Sequence, residues 1–199
     1  LDWKAQKEEQ ARLRKKENEL KKTEKRIEEL ETRDSEIDEE MSKPEVATNV
    51  AECVKLSKKK AEIAAELEEL YEKWEELMKY TDLVMLDIKH IDEEQHKILT
   101  GCTNKNILAM ARKLSDMGVS MWIRHVLVPE RNDRDDYLHR LADFIATLKT
   151  VERVEVLPYH TLGTFKWENL HIDYPLKGIN PPTKERIENA EKILGAGTQ

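Results

Sequence analysis

The stretch Tyr80-Thr-Asp-Leu-Val-Met-Leu-Asp-Ile-Lys-His90 separates two unlike parts of the sequence. Before it the chain is a long run of charged, helix-forming residues, and after it short apolar runs alternate with polar segments. Alternation within the stretch predicts a β-strand, because successive side chains of a strand point to opposite faces. The apolar face would hold Val84, Leu86 and Ile88, and the other face Met85, Asp87 and Lys89. A carboxylate beside an ammonium on an inward face is costly without a role, so we expect this face to belong to a site.

Composition limits the class of protein. Of 199 residues, 38% are charged and 39% hydrophobic, which predicts one or two small domains rather than one uniform core. The net charge is −7, and residues 1–79 carry 18 Lys+Arg against 23 Asp+Glu, so composition alone does not indicate nucleic-acid binding. No apolar run approaches the ~20 residues of a membrane span, and no signal peptide is evident. With two distant cysteines, Cys53 and Cys102, we expect a cytoplasmic protein with free thiols.

The first part predicts an antiparallel helical hairpin over residues 1–78. Residues 4–41 lack Gly and Pro, and a second helix runs from about residue 46 or 49 to 78. Apolar residues recur every seven positions in both helices, with Lys16 and Thr23 interrupting the first. The seam of the first helix consists of Leu13, Leu20, Ile27, Leu30, Ile37 and Met41. That of the second consists of Cys53, Leu56, Ile63, Leu67, Leu70, Trp74 and Leu77. Helices joined by a turn at Pro44 would bury these seams against each other.

Charge is unevenly distributed along the first helix. Residues 12–26 hold eight Lys/Arg and three Glu, whereas residues 27–40 hold eight Asp/Glu and one Arg. The basic stem could contact phosphate groups, or the charges could simply form the solvated surface of a coiled coil with intrahelical pairs.

Three segments of this hairpin resemble the C-terminal coiled-coil domain of ABC-F ATPases over about residues 3–77. They are Lys22-Thr-Glu-Lys-Arg-Ile-Glu-Glu-Leu-Glu31, the turn Lys43-Pro-Glu-Val46, and Leu67-Glu-Glu-Leu-Tyr-Glu-Lys-Trp-Glu-Glu-Leu77. The resemblance implies contact with RNA or the ribosome. It implies no ATPase activity, because no Walker A pattern is present.

The second part, residues 79–199, alternates predicted strands and helices. Further strands are expected over residues 121–128 and 154–157, and helices over 92–99, 104–117, 134–148 and 184–194. This order predicts an α/β fold, a partial parallel β/α barrel of about three units following the coiled-coil hairpin. Because a sheet of three predicted strands would leave the edge of the first strand exposed, we expect a marginal domain prone to association.

Polar residues recur at the strand ends. Arg124 shares a face with the apolar Trp122 and Val126, and the parity of the third strand would bring His160 to the same mouth as Lys89 and Arg124. Three potential cations near Asp87 favour a site for an anionic or zwitterionic small molecule, although structural ion pairing is the alternative. No histidine shows metal-ligand spacing, and Trp167 and Tyr174 could line a channel or merely cover the barrel.

Four segments resemble the pyruvate formate-lyase activating enzymes, in order, over about residues 79–194. They are Asp82-Leu-Val-Met-Leu-Asp-Ile-Lys89, Leu99-Thr-Gly-Cys-Thr-Asn104, Trp122-Ile-Arg-His-Val-Leu-Val-Pro129 and Glu155-Val-Leu-Pro-Tyr-His160, followed by Gly163, Lys166-Trp167 and Pro181-Pro182. The resemblance implies a radical S-adenosylmethionine fold, a [4Fe–4S] cluster and a glycyl-radical enzyme, pyruvate formate-lyase, as partner. It also implies S-adenosylmethionine binding by Asp87, Ile88, Lys89, Arg124 and His160.

The family's cluster motif, C-x3-C-x2-C, is absent from the sequence. Iron–sulfur clusters are held by cysteine thiolates, so we expect a partial S-adenosylmethionine site, no metal ligands, no catalytic residue and no radical formation by this chain alone. The alternative function is an RNA- or ribosome-binding coiled coil that carries the second part as a passenger.

Overall fold

The computed structural model describes residues 3–196, and the chain divides into two compact units. The first unit extends to Thr81 and the second begins at Asp82. Among the described residues, the first unit is helical and the second contains a three-stranded sheet with five helices. None of the described helices combines the length and the apolar character that crossing a membrane requires.

The first unit is the predicted hairpin. Helix α1 (Trp3–Met41) and helix α3 (Val50–Met78) are joined by a short helix α2 (Pro44–Ala47), which the sequence did not predict. Asn49 begins α3, since its side chain accepts the backbone N–H of Glu52 at 3.2 Å. The predicted helix bounds are otherwise confirmed.

The apolar seam holds the hairpin together. Its buried centre consists of Leu30, Ile37, Leu56 and Ile63. Thr23, expected to interrupt the seam, is 3% exposed and lies within it. The expectation for Leu13 is wrong, because this residue is 46% exposed. Helix α1 has 39 residues and α3 only 29, so the first turns of α1 extend beyond their partner helix.

Three parallel strands form the centre of the second unit, in the order β1 (Leu83–Asp87), β2 (Ser120–Leu127) and β3 (Val151–Pro158). The helices that follow them are α4 (Glu93–Thr100), α5 (Lys105–Asp116), α6 (Asp135–Ala146), α7 (Thr164–Asn169) and α8 (Lys184–Leu194). The α/β class and the parallel order are confirmed. Helix α7 was not predicted, and β3 begins three residues before the predicted strand.

The two faces of the sheet differ in burial. The buried face of β2 holds Met121, Ile123 and Leu127, each 0% exposed, and the core includes residues of α5, α6 and α8. The opposite face holds half-buried side chains, so half-buried and buried positions alternate strictly along β2. This half-buried face, called the polar face below, carries the predicted site residues Asp87 and Arg124.

Candidate functional site

An ion-pair triad lies on the polar face. Asp87 and Arg124 are register partners on β1 and β2, so their side chains emerge side by side. Arg124 Nε donates to Asp87 Oδ1 at 2.7 Å, and Lys89 Nζ donates to Asp87 Oδ2 at 2.7 Å. One carboxylate therefore orients two cations. Of the predicted convergence of Lys89, Arg124 and His160 beside Asp87, the structure shows the part that concerns Lys89 and Arg124.

The triad is partly screened from solvent, with side chains between 30% and 37% exposed. Partial burial alone would raise the pKa of the Asp87 carboxyl, but the hydrogen bonds from Lys89 and Arg124 outweigh it and hold that pKa below its usual range. Asp87 is therefore ionised at neutral pH, and the triad carries a net positive charge.

Ile88 can contribute only through its backbone. The whole residue is 0% exposed, and its side chain belongs to the core. Its N–H donates to the carbonyl of Arg124 at 3.0 Å, and its carbonyl lies 2.8 Å from Nδ1 of His125. Both backbone groups of Ile88 therefore already have a hydrogen-bond partner within the unit.

The expected position of His160 on the face of Arg124 is wrong. The pairing of β2 with β3 is irregular between Met121 and Trp122, where one extra residue of β3 enters the ladder. A one-residue slip moves every later side chain to the opposite face. Arg124 therefore pairs with Glu155, and the parity that was expected to lead to His160 belongs to the buried face. His160 itself follows the end of β3 and is exposed.

The same slip adds two charged residues to the polar face that the sequence did not indicate. Glu155 lies beside Arg124 in register, and Arg153 Nε contacts Glu155 Oε1 at 3.2 Å. The guanidinium of Arg153 lies 5.1 Å from the ring centroid of Trp122, a cation–π distance. The alternation of side chains along β3 would by itself have placed Arg153 and Glu155 on the same face. It would not have shown which residues of β2 share that face.

An aromatic cluster covers the polar face beyond Arg124. Tyr159, Val128 and Ile179 are buried and pack with Val126 and Tyr174. The hydroxyls of Tyr159 and Tyr174 lie 2.7 Å apart, and burial together with this bond raises the pKa of Tyr174 to about 12. Trp167 packs on Tyr174 with ring centroids 5.5 Å apart. Of the two alternatives left open for Trp167 and Tyr174, this packing favours a cover.

The cysteines do not fit an iron–sulfur cluster. Cys53 is half-buried in the hairpin, where Sγ donates to the carbonyl of Val46 at 3.2 Å, and Cys102 is exposed. Both are free thiols, and within residues 3–196 no group of three or more His, Cys, Asp or Glu residues could hold a metal ion. Two thiols in separate units do not supply the ligand set of a [4Fe–4S] cluster.

Comparison with known proteins divides the chain close to the boundary between the two units. Residues 12–79 match the family described as ABC transporter C-terminal domain. The resemblance of the hairpin to this domain is thereby confirmed.

The C-terminal part is similar to pyruvate formate-lyase-activating enzymes. The chain is 58% identical to that of Streptococcus mutans over 127 residues, and 50% identical to that of Staphylococcus epidermidis over 121 residues. These alignments cover 64% and 61% of this chain but 48% of each relative. The chain thus spans about half the length of the curated relatives it matches.

A solved domain of a pyruvate-formate lyase-activating enzyme from Bacteroides vulgatus has a similar fold. Its TM-score is 0.51 at 22% identity, covering 62% of this chain and 68% of that domain. At this identity the similarity concerns the fold alone. Together, these findings describe a chain that joins a segment matching the ABC transporter C-terminal domain to a segment similar to about half of the length of the pyruvate formate-lyase-activating enzymes.

Proposed function

We propose that the second unit is the S-adenosylmethionine-binding part of a glycyl-radical activating enzyme. Asp87, Ile88, Lys89, Arg124 and His160 are the proposed contacts. The observation that carries this proposal is the orientation of Arg124. Asp87 holds its Nε, and among the described residues no partner is recorded for the two terminal nitrogens of the guanidinium.

A guanidinium held in this way suits a carboxylate. Its two terminal nitrogens form a planar fork that pairs with both oxygens of a carboxylate, and Lys89 adds a second positive charge nearby. Asp87 and Glu155 supply acceptors for the ammonium or hydroxyl groups of the same ligand. S-Adenosylmethionine carries a carboxylate, an ammonium and ribose hydroxyls, so its polar groups match this donor set. When bound, S-adenosylmethionine supplies the radical chemistry of the activating enzymes.

The proposed partner is a glycyl-radical enzyme such as pyruvate formate-lyase, by similarity to the relatives. A [4Fe–4S] cluster is held by more cysteine thiolates than the two that this chain contains. We therefore propose that the chain forms no glycyl radical unaided. Anaerobic reconstitution with iron and sulfide, followed by reduction, tests this second statement. No [4Fe–4S] signal in electron paramagnetic resonance is expected, and such a signal with cleavage of S-adenosylmethionine would contradict it.

Equilibrium dialysis of the full chain with radiolabelled S-adenosylmethionine tests the binding proposal. Arg124→Gln removes the fork and should weaken binding on the order of tenfold to a hundredfold, since hydrogen bonds to charged groups contribute about 1.5–3 kcal/mol. Arg134→Gln is the matched control, because Arg134 pairs with Asp136 on the surface. Equal loss in both variants, or no binding by the unsubstituted chain, would contradict the proposal.

A second proposed function is RNA binding by the hairpin, favoured by a basic face of α1. The side chains of this face are those of Lys7, Gln10, Ala11, Arg14, Lys15, Asn18, Glu19 and Lys22. Of the residues in the predicted basic stem, Arg12 pairs with Glu9 and Lys16 lies over the Tyr80 ring, so Arg14, Lys15 and Lys22 are the better phosphate contacts.

Salt-dependent binding to single-stranded RNA tests this function. Neutralising Arg14, Lys15 and Lys22 to Gln should lower the slope of log K against log salt by roughly two, because each phosphate contact in single strands contributes about 0.7. Neutralising Lys55, Lys58 and Lys59 on α3 controls for net charge. An equal fall in slope in both triple variants would contradict a site on α1.

A further inference from the structure

Four consecutive backbone carbonyls accept hydrogen bonds from side chains just after β1. His125 Nδ1 lies 2.8 Å from the carbonyl of Ile88, and Asn132 Nδ2 donates to that of Lys89 at 2.8 Å. Asn104 Nδ2 donates to the next two carbonyls, those of His90 at 3.2 Å and Ile91 at 2.8 Å. Beyond the end of β1 at Asp87, this segment is therefore held by side chains from elsewhere in the unit.

The three donors are buried and come from separate parts of the unit. His125 lies on β2, Asn132 lies in the loop after β2, and Asn104 immediately precedes α5. Their exposed fractions are 2%, 1% and 2%. Burying an amide or an imidazole costs free energy unless the group is hydrogen-bonded. Breaking the bonds of these three side chains would therefore be unfavourable.

Asn132 is anchored on both sides of its amide. Its Oδ1 accepts the N–H of Val128 at 2.7 Å, and its Nδ2 also donates to the carbonyl of Val126 at 2.8 Å. The amide thus ties the exit of β2 directly to the backbone of Lys89. Because Asn132 is held by backbone groups at the end of β2, its bond to Lys89 also fixes the position of the Lys89 backbone.

His125 acts through a defined ring nitrogen. Its Nδ1 faces a carbonyl, which only accepts, so Nδ1 carries the proton and donates it to Ile88. Its Nε2 is buried, with no hydrogen-bond partner among the described residues. The ring therefore contributes one hydrogen bond, directed at the residue between Asp87 and Lys89.

We infer that His125, Asn132 and Asn104 are positioning residues of the S-adenosylmethionine site. They fix the backbone of Ile88–Ile91 so that the ammonium of Lys89 returns to Asp87 on the polar face. None of the three lies on that face or in the ion-pair triad. The inference deepens the proposed function and rests on it for the identity of the ligand.

The Asp87 carboxylate reports the position of Lys89 without any ligand. Lys89 and Arg124 both lower its pKa, so displacement of Lys89 should raise it. We would follow the ¹³C carboxyl resonance of Asp87 in the full chain during acid titration. Asn132→Ala should shift this titration upward. Ser115→Ala is the matched control, since it removes another buried bond to backbone, from Lys149 N–H at 2.8 Å, in which no residue of the triad takes part.

His125→Phe provides a second variant that retains the ring volume and should fold, because it removes a buried nitrogen without a partner. It should also shift the Asp87 titration upward. If Asn132→Ala does not fold, His125→Phe decides the test. An Asp87 titration unchanged in the folded variants, or shifted equally by Ser115→Ala, would overturn the inference.

Binding of S-adenosylmethionine to the same variants separates the two proposals. Affinity should fall roughly tenfold in Asn132→Ala and be retained in Ser115→Ala. If the unsubstituted chain binds no S-adenosylmethionine while the Asp87 titration shifts as expected, the proposed function fails and the positioning role stands. If the chain binds S-adenosylmethionine but the titration does not shift, the positioning role fails alone.

Discussion

Arg124 Nε and Asp87 Oδ1 lie 2.7 Å apart across two adjacent parallel strands, on residues that are direct register partners. The pairing uses one edge of the guanidinium and one oxygen of the carboxylate, and Lys89 takes the other oxygen. Two cations held by one carboxylate on an otherwise half-buried face leave an excess of positive charge. The register of β1 and β2 thus creates the positive charge that we propose to bind the carboxylate of the ligand.

Removing the Asp87 charge should destabilise the second unit. Asp87→Asn leaves Arg124 and Lys89 as neighbouring like charges, and we expect a loss of about 1 kcal/mol in the free energy of unfolding by urea at neutral pH. Asp136→Asn breaks the exposed pair with Arg134 and should change it by less than about 0.5 kcal/mol. Equal effects in the two variants would contradict a special role for the triad.

Stability should fall on mild acidification because of His125. Burial lowers its pKa from 6.5 to about 4, although the hydrogen bond to Ile88 opposes this. The unfolded chain takes up this proton below about pH 6.5 and the folded chain only near pH 4, so stability is lost between these values. The loss is on the order of 3 kcal/mol, and His90, whose pKa burial also lowers, adds in the same direction.

Urea unfolding between about pH 7 and pH 4.5 measures this dependence. His125→Phe should flatten the curve, whereas the same change at the exposed His139 should leave it as it is. A slope that survives His125→Phe unchanged would show that other groups dominate the acid sensitivity.

The stability of the hairpin should depend on the buried residues of its seam and not on the valines at its surface. Leu56 is 1% exposed and Val54, two residues earlier on α3, is 63% exposed. Leu56→Ala should reduce the stability of the helical unit by about 2–5 kcal/mol, and Val54→Ala by less than about 0.5 kcal/mol. Thermal unfolding followed by circular dichroism compares them. Similar melting temperatures for the two variants would rule out the seam described above.

The outer edge of β1 should promote association of the second unit. Among the described strands β1 pairs only with β2, and Met85 on it is 56% exposed. An unpaired strand edge with an exposed apolar side chain invites pairing, so Met85→Lys should reduce self-association in sedimentation velocity. Ile98→Lys, at a 69% exposed position on α4, controls for added charge. Oligomers that persist in Met85→Lys and disappear in Ile98→Lys would place the association elsewhere.

Local sequence patterns predicted most of the fold. The bounds of α8 follow from Thr183, which caps the helix by accepting the N–H of Arg186, and from Gly195 at a φ of 64°. Helix α7 was missed because its six residues are too few for a periodic apolar pattern. The faces of β1 were predicted correctly because strand alternation is a property of a single segment.

The positions of the site residues were predicted correctly only where they depend on a single strand, or on two strands that pair without irregularity. Asp87, Lys89 and Arg124 meet as expected, since β1 and β2 pair without irregularity. His160 was assigned to the wrong face, and Glu155 was not considered, because an extra residue at the start of β3 reverses its parity. Such an irregularity arises from pairing between strands, which the pattern of one strand does not encode. The roles of Asn104 and Asn132 likewise depend on contacts between distant segments.

The central claim, that the triad binds S-adenosylmethionine, is tested most directly by nuclear magnetic resonance. The full chain, labelled with ¹⁵N and ¹³C, is titrated with S-adenosylmethionine, and shift changes are assigned to residues. The account predicts saturable changes at the proposed contacts Asp87, Ile88, Lys89, Arg124 and His160 and at Glu155, with none in α1 or α3. Saturable changes confined to the hairpin, or no changes at ligand concentrations that saturate the related enzymes, would contradict it.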